Sequence, residues 1–117
     1  MYEMQNGRAA DTQDIDLSPL EGAAVTVDGY SAVLELGDRR VARLVLDVTS
    51  VSSGDTVDVT VQTSRDGVTY YTAGTFTQVT AAGTERKLFM LDRYVRAYFD
   101  VGGSGVSIAC TLTGEAA

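Results

Sequence analysis

With 117 residues and a single cysteine, the chain is sized for one compact domain and has no partner for an intrachain disulfide. Its formal net charge of −7 argues against the basic footprint that DNA or RNA binding needs, and 44% apolar residues argue against global disorder. Histidine is absent, which removes the usual general base, the commonest metal ligand and every Ser–His or Cys–His nucleophile pair.

Residues 1–22 show neither helical nor strand periodicity. Glu3, Asp11, Asp14, Asp16 and Glu21 stand against Arg8 alone, so this leader carries −4 of the total charge. It reads as an extended acidic arm, with a boundary near Gly22 before a β-sandwich over 23–117. Tyr2, Met4, Ile15 and Leu17 are its apolar anchors for docking onto a neighbouring subunit. Removal of residues 2–20 is then expected to leave a folded domain. No apolar run approaches the roughly 18 residues of a membrane span, and no basic start precedes an apolar stretch, so neither span nor secretion signal is expected.

Beyond the arm the period is two nearly everywhere. Tyr30, Ala32, Leu34 and Leu36 alternate with Ser31, Val33 and Glu35. Ala42, Leu44, Leu46 and Val48 then share one face, and Val57, Val59 and Val61 share the next. The run Ser64-Arg65-Asp66-Gly67 is a turn with a glycine free to take positive φ. Short strands are expected over 68–72 and 75–79, interrupted at Ala73–Gly74, and another over 84–91. Over 93–101, Val95, Ala97, Phe99 and Val101 face inward while Tyr94, Arg96, Tyr98 and Asp100 face outward. A glycine-rich hairpin leads into Val106, Ile108, Cys110 and Leu112. Eight or nine short strands rich in Val and Thr make an antiparallel all-β sandwich, with a jelly roll as its candidate topology.

Catalytic signatures are sparse, and no enzyme activity is expected. Cys110 shares an apolar strand face, the setting of a small buried hydrophobe. The spacing of Asp11, Asp14 and Asp16 lacks the glycine and terminal glutamate of an EF-hand loop. The informative surface feature is the outward stripe Tyr94, Arg96 and Tyr98, residue types that anchor protein interfaces. Arg39, Arg40 and Arg43 form a small basic cluster suited to pairing with the acidic arm.

The stretches VTVQTSRDGVTYYTAGTFTQVTAAGTERKLF and LDRYVRAYFDVGGSG, with a final strand ending TLTGEA, resemble small structural proteins encoded by tailed bacteriophages. The resemblance spans Leu34 to Glu115, and it is nearest to the decoration proteins of phage heads. It implies a protein of the virion surface, assembled in the host cytoplasm, that binds the major capsid protein as a homotrimer and stabilises contacts between capsid subunits. A tail or connector subunit is one alternative. The other is a carbohydrate- or receptor-binding module, because QTSRDGVTYY is similar to the strand-turn-strand of galactose-binding-like jelly rolls, with Tyr70 or Tyr71 where Trp is usual. No cofactor, metal, nucleic acid or membrane is expected as a partner.

Overall fold

The computed structural model describes residues 12–22, 24–103 and 106–117. Tyr2 and Met4 lie outside the described residues. Nine strands follow in chain order: β1 (Gln13–Asp16), β2 (Gly29–Tyr30), β3 (Leu34–Glu35), β4 (Val41–Val51), β5 (Thr56–Ser64), β6 (Tyr71–Thr75), β7 (Gly83–Met90), β8 (Tyr94–Gly102) and β9 (Ile108–Ala116). The first sheet runs β1-β9-β4-β7, and the second runs β2-β8-β5-β6 with β3 also paired to β8. All pairings are antiparallel. When β2 and β3 are counted as one interrupted strand, this alternation between sheets is the order of a jelly roll.

The core forms because one face of each long strand is apolar at period two. Ala42, Leu44, Leu46 and Val48 of β4 meet Val57, Val59 and Val61 of β5, with Val95, Ala97 and Phe99 of β8 beside them, all buried. Ile108, Cys110 and Leu112 of β9 complete the layer. Gly114, also on the inner phase of β9, lies so close to β4 that a Cβ would overlap the Arg43 carbonyl.

Both open sides of the sandwich are closed by chain that crosses between sheets. On one side, the Phe76 and Phe89 rings pack tilted at 55° with centroids 5.3 Å apart. Edge strand β7 also turns two charges inward there. Glu85 accepts from the Thr77 amide at 2.9 Å, and the Lys87 ammonium donates to the Thr75 carbonyl at 2.5 Å. Inward charges on an edge strand discourage further strand addition.

The opposite side corrects the domain boundary expected near Gly22. Residues Gln13–Asp16 pair along β9, from Gln13 with Ala116 to Asp16 with Thr113. Ile15 and Leu17 are 3% and 0% exposed, inside the core. The Leu17 amide donates to the Leu112 carbonyl, and the Leu112 amide donates to the Ser18 hydroxyl. Pro19 then bridges to Ser31 in the second sheet. The sandwich therefore begins by Gln13, and Ile15 and Leu17 are core residues rather than docking anchors. Loss of residues 2–20 would strip an edge strand. The acidic residues misled the periodicity because β1 has only one inward side chain between two outward aspartates.

Two further expectations shift. The phase breaks at 30–33: Ser31 is buried, while Tyr30 and Val33 are 43% and 50% exposed. Ser31 turns inward because its hydroxyl accepts from the Ala97 amide at 2.8 Å, standing in for a ladder contact between β2 and β3. The break expected at Ala73–Gly74 is a bulge within β6, where the register moves from Val61–Gly74 to Gln62–Thr72.

Candidate interaction surface

The outer face of the second sheet gathers tyrosines around one arginine. Strand β8 supplies Tyr94, Arg96 and Tyr98 in the outward phase, as the alternation predicts, and all three are half-buried. Register places Tyr30 of β2 directly opposite Tyr98, and Gln62 of β5 opposite Arg96. The Tyr30 and Tyr98 rings lie 4.8 Å apart at 49°.

Arg96 is held on three sides. Its guanidinium carbon sits 4.3 Å from the Tyr30 ring centroid and 3.9 Å from that of Tyr70. Its Nε donates to the Gln62 side-chain oxygen at 2.7 Å. Cation–π contacts of this kind contribute about 0.5–1 kcal/mol when exposed and about 2 when desolvated. The arginine is thus preordered rather than free to swing.

Tyr70 reaches Arg96 because of the turn before it. The buried Ser64 hydroxyl donates to the Asp66 carboxylate and accepts from the Gly67 amide, both at 2.9 Å. Asp66 in turn accepts from the amides of Val68 and Thr69, and Gly67 adopts φ 80°. These amide bonds, led by Thr69 and Val68 and joined by the Ser64 hydroxyl, hold the Asp66 carboxyl down at about 2. The α-carbon side of Gly67 that a Cβ would occupy rests against the Tyr94 ring. The Tyr70 hydroxyl is enclosed with no hydrogen-bond partner among the described residues.

Charge frames the patch at both ends. Arg93 pairs with Glu35, its Nε at 2.6 Å from the carboxylate, and its guanidinium carbon is 5.7 Å from the Tyr94 ring. The Arg93 pKa is raised by that hydrogen bond and by the Glu35 charge. At the other end Asp58 and Asp100 oppose each other across β5 and β8, and Asp28 accepts from the Val101 amide. The Tyr98 hydroxyl is pushed up, first by desolvation and then by the charges of Asp28 and Asp100.

The remaining sequence candidates fall elsewhere. Arg40 donates to the carbonyls of Gly37 and Arg39 in the turn between β3 and β4. Arg39 points back to the Leu36 carbonyl at 3.5 Å, with its Nε buried and unpartnered among the described residues. Arg43 pairs with Glu115 of β9 at 3.2 Å, and among the described residues it pairs with no acid of the N-terminal segment. Tyr30 and Gln62 were not among the sequence candidates, and Tyr70 was named only for a sugar site. Tyr30 was hidden by the broken phase at 30–33, and the contact of Tyr70 with Arg96 by a turn whose exit direction period two does not encode. Of the two tyrosines named for a sugar site, Tyr70 is covered by Arg96 while Tyr71 is 47% exposed.

Among the described residues there is no group of three or more His, Cys, Asp or Glu side chains arranged to hold a metal ion. Burial raises the Cys110 thiol to about 11, far from a reactive thiolate. The arrangement is a half-buried, rigid face and not a cleft. Neither a protein-family model nor a curated protein sequence matches this chain.

Proposed function

We propose that the chain is a structural protein of a tailed-phage virion, a decoration protein that binds the outside of the head and stabilises contacts between major capsid subunits. The observation that carries this reading is the clamped Arg96 with Tyr30, Tyr70 and Tyr98 around it. Aromatic and arginine side chains dominate protein interface energetics, and a face whose rotamers are already fixed loses little entropy on docking. Jelly-roll topology and the resemblance over Leu34 to Glu115 are consistent with that role, although fold alone assigns no function. The small binding energy of each copy matters because it repeats across the shell. The proposal is tested by sedimenting purified protein with heads that lack it. Wild-type protein is expected to saturate them, and Arg96→Ala with Tyr98→Ala to leave them bare. Equal occupancy by the double variant, shown folded by circular dichroism, rules out this face as the capsid contact.

A further inference from the structure

We infer that the outer face of the first sheet pairs with the same face of a second copy of this chain, about a twofold axis parallel to the strands. This self-association stands apart from the capsid reading, which uses the opposite sheet, and it replaces the homotrimer that the resemblance implies with a dimer.

The inference comes from the row structure of the face. Register aligns Asp16, Thr113, Val45 and Arg86 in one row across β1, β9, β4 and β7. The next row is Asp14, Glu115, Arg43 and Leu88. Each of these side chains is in the outward phase, since Ile15, Leu44, Leu46 and Phe89 between them are buried. In these two rows Asp14, Asp16 and Glu115 lie on the β1 side of the midline, and Arg43, Arg86, Val45 and Leu88 on the β7 side. In the row beyond Val45, Asp47 of β4 is exposed and accepts from the Thr84 hydroxyl. Leu88, Met90 and Val41 are 68%, 72% and 37% exposed, and Leu88 and Val41 line a groove of about 210 Å³ with Ala116 and Ala117.

With four strands, the midline of the sheet falls between β9 and β4. A twofold parallel to the strands above that midline lays β1 over β7 of the second copy and β9 over its β4. Asp16 then faces Arg86 of the second copy, and the Arg43–Glu115 pair lies head to tail against its own symmetry mate. Ala117 meets Val41, and Asp14 packs beside the exposed Leu88. Neither Asp16 nor Arg86 has an ion-pair partner among the described residues, and the Asp16 carboxylate accepts from the Ser18 amide at 3.0 Å. Opposed sheets with such complementary rows pack at a spacing of about 10 Å, their strands within roughly 30° of parallel. Packing face to face leaves the edge of β7 unused, in keeping with its inward Glu85 and Lys87.

Sedimentation velocity of the full chain tests the arrangement. Wild-type protein is expected to form a dimer. Arg86→Glu alone and Asp16→Arg alone each set like charges together twice, and each is expected to weaken dimerisation at least about tenfold, or 1.4 kcal/mol. An equimolar mixture of these two variants restores both contacts and is expected to dimerise. A wild-type chain that stays monomeric up to about 1 mM, or that forms trimers, overturns the inference. So does a mixture that remains monomeric while circular dichroism shows both variants folded. Should either charge variant fail to fold, Leu88→Asp at its exposed site decides the matter: loss of the dimer supports the face, and an undiminished dimer overturns it.

Discussion

Arg96 and Tyr70 form the tightest arginine–ring contact of the second sheet, with the guanidinium carbon 3.9 Å from the ring centroid. The two come from different elements, Arg96 from near the start of β8 and Tyr70 from the exit of the Ser64–Thr69 turn. Because Tyr30 closes the other contact at 4.3 Å, the arginine needs both rings to keep its place.

This clamp makes a paired prediction. Tyr70→Phe removes a hydroxyl that bonds to no described residue, so urea unfolding is expected to show stability unchanged or raised by about 1 kcal/mol. Tyr70→Ala is expected to cost about 1–2 kcal/mol, because it takes away the ring and frees Arg96. Equal losses in the two variants would mean the hydroxyl, and not the ring, matters.

The N-terminal edge strand makes a second. Leu17→Ala is expected to lower stability by about 2–4 kcal/mol, since Leu17 is fully buried. Deletion of residues 2–11 removes none of the described core and is expected to leave the cooperative unfolding transition in place. Deletion of 2–20 is expected to abolish it. A folded 2–20 truncation would return Ile15 and Leu17 to the role of arm residues.

Gly114 gives a third. The Cβ of Gly114→Ala runs into the Arg43 carbonyl, which is backbone and part of the β4–β9 ladder. A loss of about 2 kcal/mol or more is expected in thermal or urea unfolding, against a smaller effect of alanine at Gly83, where the space is open.

The Asp66 turn sets a pH dependence. Its carboxyl falls from 3.8 to about 2 in the folded chain. A depressed folded pKa favours the native state above the unfolded value, and that contribution fades as pH drops through the folded one. Melting temperature is therefore expected to fall more steeply between pH 4 and 2 in wild type than in Asp66→Asn. Parallel curves would show that the amide bonds of Val68 and Thr69 do not bias the carboxylate.

Long strands were legible in the sequence because a buried face enforces period two. The inward phase of β4, β5 and β9 can be read off without a structure, and so can the outward Tyr94, Arg96 and Tyr98 of β8. Short elements were not. In β1 a single inward Ile15 between two aspartates gives no period, and just after β2 the Ser31 hydroxyl overrides hydropathy by bonding to the backbone of β8. The clamp on Arg96 was missed for the same reason: Tyr30 and Tyr70, the latter named only for a sugar site, reach it through long-range pairing and a turn direction that a local pattern cannot carry.

Cryo-electron microscopy of the assembled phage particle tests the central claim most directly. The account predicts density for this jelly roll on the outside of the head, with Tyr30, Arg96 and Tyr98 turned toward the capsid shell. Density for the protein in the tail, or on the head with that face turned to solvent, would contradict it.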